Sequence, residues 1–155
     1  MSQNPPPTAL IAEDEPLLAG ELRDELARAW PELDVCAVVH DGHAALAAIE
    51  QLQPQILFLD VQMPGLSGLE VARLSGGKAH VVFITAFDRF AVQAFEDGAV
   101  DYLVKPLQSA RLVRAVQRLK ERLGTTPADL RHLLEQLAKP AANEEHMRWI
   151  TVLRG

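Results

Sequence analysis

Residues 55–60 read Gln-Ile-Leu-Phe-Leu-Asp, four apolar side chains in a row that close on a carboxylate. Near-continuous apolar character without alternation suits a strand buried on both faces of a parallel sheet. Similar runs stand to either side: Thr8–Glu13 (TALIAE), Asp34–His40 (DVCAVVH), His80–Thr85 (HVVFIT) and Val100–Val104 (VDYLV). The gaps between them carry helical spacing. Leu18, Leu22, Leu26 and Ala29 form one stripe, ended by Trp30-Pro31. Ala45, Leu46, Ile49 and Leu52 form a second, stopped by Pro54. Gly68–Leu74 predicts a short third helix closed by Ser-Gly-Gly, and Ala91, Ala94 and Phe95 mark a fourth with Gly98 after it. Leu112, Val116, Leu119 and Leu123 mark a fifth, ended by Gly124. Five β-α units predict an α/β fold with a doubly wound, five-stranded parallel sheet, whose ligand site lies beyond the carboxyl ends of the strands.

The chain has 155 residues, 48% hydrophobic and 23% charged, enough for one compact domain with a normal core. A net charge of −6 argues against nucleic-acid or anionic-membrane binding by the chain as a whole. The charge is uneven: residues 1–60 carry 11 acids and 2 bases, residues 105–140 carry 3 and 8. No apolar run approaches the ~20 residues that span a bilayer, and Met1–Thr8 lacks the regions of a signal peptide. Cys36 stands alone, which excludes an intrachain disulfide and a thiolate metal cluster. A soluble, cytoplasmic protein is expected, with Cys36 as a buried, inert thiol.

Past Gly124 the pattern changes. Thr126-Pro127 with Asp129 reads as a helix start, and Leu130, Leu133, Leu134 and Leu137 continue it to Lys139-Pro140. Met147–Arg154 (MRWITVLR) is strand-like again. The expected organisation is a disordered terminus over 1–7, one domain over 8–124, a linker helix and linker over 125–146, and the start of a second domain over 147–155, cut short.

Polar residues placed on this frame gather at one rim. Glu13 and Asp14 end the first strand, Asp60 the third and Thr85 the fourth, while Lys105 follows the fifth. Three packed carboxylates repel one another, a conflict that a divalent cation relieves. An all-oxygen site with few carboxylates suits Mg²⁺. A carboxylate beside Mg²⁺, a hydroxyl and an ammonium is equipped for phosphoryl transfer. Asp60 would be the nucleophile, forming an acyl phosphate, with Mg²⁺, Thr85 and Lys105 stabilising charge on the phosphoryl oxygens.

Four segments carry a family resemblance: Ile11-Ala-Glu-Asp-Glu-Pro16, Leu57-Phe-Leu-Asp-Val-Gln-Met-Pro-Gly65, Ile84-Thr-Ala86 and Asp101-Tyr-Leu-Val-Lys-Pro106. In order and spacing, residues 8–123 resemble the receiver domain of two-component response regulators. The resemblance implies a flavodoxin-like receiver fold with strand order 2-1-3-4-5. It makes Glu13 and Asp14 the acidic pair, Asp60 the phosphoacceptor, Thr85 the switch hydroxyl, Lys105 the essential lysine and Tyr102 the switch aromatic. Gln62 would give its main-chain oxygen to the metal, and the Lys105-Pro106 bond would be cis. Glu13 departs from the family, where an Asp is more usual; its longer arm suits a contact with Mg²⁺ through water.

Thr85–Tyr102 further resembles receivers of the LytTR type, and Arg148-Trp-Ile-Thr-Val-Leu-Arg-Gly155 is similar to the opening strand of their mostly β DNA-binding domain. The implied partners are a sensor histidine kinase, a second copy on phosphorylation, and DNA reached only through the C-terminal domain; no membrane is implied. Phe87, Phe90 and Phe95 suit either the core or the dimerisation face.

Two other functions use related parts. A haloacid-dehalogenase-like phosphohydrolase also places an Asp nucleophile at a strand end with Mg²⁺, but wants a general acid two residues later, where this chain has Gln62. A flavodoxin-like mononucleotide binder wants a phosphate-cradling loop after the first strand, where this chain has Glu13-Asp14-Glu15-Pro16. The five histidines show no metal-ligand spacing and suit surface or loop positions, whereas Trp30 and Phe58 suit the core.

Overall fold

The computed structural model describes residues 5–86 and 99–123. Strands β1 (Thr8–Ala12), β2 (Asp34–Val39), β3 (Ile56–Asp60), β4 (His80–Thr85) and β5 (Asp101–Val104) alternate with helices α1 (Pro16–Ala29), α2 (Gly42–Leu52), α3 (Gly68–Leu74) and, after β5, α4 (Ser109–Arg122). The strands pair in parallel in the order β2-β1-β3-β4-β5. That is the expected α/β architecture. The expected helix around Ala91 and Phe95, with Phe87 and Phe90, lies outside the described residues, as do the linker helix and the strand-like 147–155.

Apolar runs become two-sided strands because successive side chains point to opposite faces. Ala9, Ile11, Ile56, Phe58, Val82, Ile84 and Leu103 pack on one face against Leu22 and Leu26 of α1 and Leu112, Val116 and Leu119 of α4. Leu10, Ala12, Leu57, Leu59, Val81 and Phe83 pack on the other against Ala45 of α2 and Val71 and Ala72 of α3. Trp30, where α1 ends, is buried with the first group, and Phe58 is fully buried, as expected of both.

Burial on both faces holds along the whole of β3 and β4 and along β1 after Thr8. Of β2, Asp34 is exposed and the other five residues are half-buried, because β1 pairs with one of its edges and, among the described residues, no strand pairs with the other. Its register against β1 slips after Ala9, which faces Val35 while Leu10 faces Ala37. Cys36 is thereby left between partners, half-buried and not fully buried, with its thiol 3.4 Å from the Ala9 carbonyl oxygen. His80 also departs from its expected surface place: it opens β4 and is buried. His40 and His43 are exposed.

The segment that carries Asp60 into α3 is tightly held. Ser67 and Glu70 form a reciprocal capping box at the start of α3, satisfying two of its free backbone donors. Gly65 turns the chain at a positive φ of 78°. Gly68 presses so closely on β3 that an added Cβ would stand 2.2 Å from the Asp60 carbonyl oxygen. The Lys105-Pro106 peptide is cis, as expected. Among the described residues, no helix is long and apolar enough to cross a membrane.

Candidate functional site

The carboxyl ends of β1, β3, β4 and β5 bring the expected residues together. Glu13 follows β1 and is 0% exposed, Asp60 closes β3 at 2%, and Thr85 closes β4 at 4%. The main-chain nitrogen of Lys105 donates to the Thr85 carbonyl at 2.9 Å, which continues the β4–β5 pairing past β5. From there the Lys105 Nζ reaches back to Asp60 Oδ2 at 3.1 Å and to Glu13 at 3.2 Å (Oε1) and 3.4 Å (Oε2).

Backbone donors hold the acids in place. Asp60 Oδ1 accepts from the Gln62 main-chain nitrogen at 3.2 Å, and Glu13 Oε2 accepts from that of Glu15 at 3.1 Å. His40 donates from Nδ1 to the Glu13 carbonyl oxygen at 2.9 Å, since a carbonyl can only accept. Glu15 was not foreseen as part of the site. It is largely exposed, yet its carboxylate stands 3.3 Å from Lys105 Nζ. The only trace of it in the sequence is the unbroken acidic run Glu13-Asp14-Glu15.

Electrostatics follow from burial. Loss of water, then the Asp60 carboxyl beside it, pushes Glu13 up to about 8. Burial likewise raises Asp60, and Glu13 and Lys105 only partly offset it. Burial would raise Asp14 too, but the Glu13 and Asp60 carboxyls and the Lys105 charge hold it below the ordinary aspartate value. Burial alone would lower the Lys105 ammonium; Asp60 and Glu13 keep it above its usual value.

One buried oxygen is not satisfied by this network. Glu13 Oε1 lies near Lys105 but accepts no hydrogen bond. Glu13, Asp14 and Glu15 can each offer an oxygen, all within 4.8 Å of one another. An orphaned carboxylate oxygen, hard donors and crowded negative charge fit a divalent cation such as Mg²⁺.

Tyr102 sits on β5, half-buried, with the Arg111 guanidinium 4.8 Å from its ring centroid. Arg111 also forks onto Asp101, with Nη1 2.9 Å from Oδ2 and Nη2 close to Oδ1; Arg118 Nη1 adds a contact to Oδ1 at 3.1 Å. This cluster was not anticipated from the sequence, because no motif spacing links β5 to α4.

Comparison with known proteins agrees with this geometry. The response regulator receiver domain family matches residues 9–117. The chain is 44% identical, over 96% of its length, to an uncharacterized response regulatory protein of Vibrio cholerae and covers 60% of that protein. It is 39% identical to the transcriptional regulatory protein BtsR of Escherichia coli, over 72% of this chain and 47% of BtsR. The chain thus spans about half the length of the curated relatives it matches. Among solved structures, the response regulatory domain of protein mrkE from Klebsiella pneumoniae superposes with a TM-score of 0.66 at 32% identity, covering 74% of this chain and 95% of that one.

Proposed function

Because this chain belongs to the response regulator receiver family of two-component systems, we propose that it accepts a phosphoryl group on Asp60 from a sensor histidine kinase and uses it as a switch. The observation that carries this reading is the reach of Lys105 Nζ to Asp60 Oδ2, 3.1 Å, across the carboxyl ends of the sheet. One Asp60 carboxylate oxygen forms the new P–O bond as the P–N bond to the donor's phosphohistidine breaks. The imidazole leaves as a neutral ring once its other nitrogen carries a proton. Lys105 exchanges its contact with Asp60 for one with a phosphoryl oxygen, and the Thr85 hydroxyl donates to another. Asp14, Asp60, the Gln62 main-chain oxygen and Glu13, directly or through water, would hold Mg²⁺, which when bound neutralises the carboxylates and withdraws charge from the phosphoryl group.

The output is control of transcription. BtsR, a relative at 39% identity, is a transcriptional regulatory protein, and Arg148–Gly155 resembles the first strand of a LytTR-type DNA-binding domain. DNA would be bound by that domain and not by the receiver. Thr85 and Tyr102 would transmit the phosphorylated state to the face beyond β4, where Phe87, Phe90 and Phe95 would pair two receivers. Phosphohydrolase chemistry is disfavoured by Gln62, whose side chain is exposed and cannot act as a general acid.

A phosphorylated histidine kinase mixed with the protein tests the reading. Transfer of one phosphoryl group per chain with Mg²⁺, and none after chelation, is expected. Equal transfer under chelation, or sustained hydrolysis of small phosphate esters, contradicts it.

A further inference from the structure

Asp101 presents a carboxylate with 0% side-chain exposure at the start of β5, and three neighbours depend on it. Arg111 binds both of its oxygens, Arg118 binds one, and the Tyr102 main-chain nitrogen donates to Oδ1 at 2.8 Å. Arg111 and Arg118 lie seven residues apart on α4, two turns, and so share a face. Only Arg111 also lies over the Tyr102 ring, at 4.8 Å. The forked, planar guanidinium can bind a carboxylate edge-on while its flat surface stacks on an aromatic, which an ammonium cannot do at once.

We infer that Arg111 is a positioning residue for the switch: clamped by buried Asp101, it holds the Tyr102 ring in its resting orientation and thereby sets the equilibrium between the two receiver states. The inference rests on the proposed role of Tyr102 as switch aromatic and adds what restrains it. The same carboxylate receives the Tyr102 main-chain donor and the guanidinium above the Tyr102 ring. Backbone and ring of the switch residue are therefore both referred to one buried anion. Movement of the ring away from α4 loses the stack while Asp101 keeps Arg111 in place. The stack thus favours the resting state by its own interaction energy and no more.

Tyr102 is the single tyrosine of the chain, so selective tyrosine labelling gives one ring signal by NMR. The signal is recorded before and after acetyl phosphate with Mg²⁺, with phosphorylation confirmed by intact mass. Arg111→Lys keeps a cation for Asp101 and removes the planar stack; Arg118→Gln removes a partner of Asp101 that does not touch the ring. In unphosphorylated Arg111→Lys, the ring signal should move along the line from the resting to the phosphorylated position, by about two- to fivefold in the equilibrium constant, the size of an exposed cation–π contact. Arg118→Gln should leave it at the resting position. An unmoved signal in Arg111→Lys, or equal displacement in both variants, overturns the inference. A wild-type signal that ignores confirmed phosphorylation overturns Tyr102 as the switch, and the inference with it. Failure of the mass to change overturns the phosphoacceptor reading first, and by a separate readout.

Discussion

Lys105 and Asp60 stand 45 residues apart in the chain, and their charged atoms are 3.1 Å apart at the rim of the sheet. Lys105 also lies within 3.4 Å of Glu13 and Glu15, so one ammonium serves three carboxylates. Burial first, and a neighbouring carboxyl after it, makes each of Glu13 and Asp60 hold its proton above the ordinary carboxylate range. Under the proposed function, a divalent cation would supply the positive charge that this site is short of. The cost of the arrangement in the metal-free protein can be measured.

Glu13→Gln removes a buried carboxyl that must take up a proton on folding at neutral pH, and keeps an oxygen to accept from the Glu15 main chain. In metal-free protein this substitution should raise the melting temperature by a few degrees, corresponding to roughly 1 kcal/mol. It should also weaken Mg²⁺ binding in an isothermal titration. A lower melting temperature without metal, or unaltered Mg²⁺ affinity, contradicts the account of Glu13.

Gly68 is required by the close passage of α3 over β3. Gly68→Ala drives a methyl toward the Asp60 carbonyl oxygen, a backbone atom that cannot swing aside. Urea unfolding should show a loss of about 1–3 kcal/mol, the usual range for overpacking. Gly76→Ala is a poor control, because Gly76 has a φ of 82°; Gly20→Ala, where nothing stands within 4 Å, should not destabilise the protein.

Cys36 supplies a pH-dependent signal. Burial first, then the Asp34 carboxylate, raises its thiol above the ordinary value of 9.0. Because the folded state holds this proton more tightly than the unfolded chain, the thiol costs nothing at neutral pH. Stability falls only as pH climbs past the unfolded value. Alkylation by iodoacetamide at pH 8 should therefore be slow in the native protein and accelerate in urea. Native reactivity equal to that of a free thiol contradicts the half-buried bulge.

Much of this is legible in the sequence. The run Ile56–Asp60 names both a central strand and the residue at its tip, since apolar length and the closing carboxylate are local properties. Edge position is not local: the apolar run of β2 resembles that of β3, and its place at the edge of the sheet formed by the described residues leaves it half-buried. The slip that frees Cys36 is likewise a matter of pairing between strands. Lys105 was found because a motif surrounds it. Arg111 was hidden, because a basic residue on an amphipathic helix looks the same whether it meets water or a buried aspartate, and Asp101 lies ten residues away across a turn.

The central claim is that Asp60 is the phosphoacceptor, and chemical trapping of its product tests this most directly. Protein treated with acetyl phosphate and Mg²⁺ is reduced with borohydride, which converts an aspartyl phosphate to homoserine, and the modified residue is located by peptide mass spectrometry. The account predicts homoserine at position 60 and nowhere else, none after chelation of the metal, and none in Asp60→Asn. Homoserine at Asp14, or undiminished incorporation of phosphate in Asp60→Asn, would contradict it.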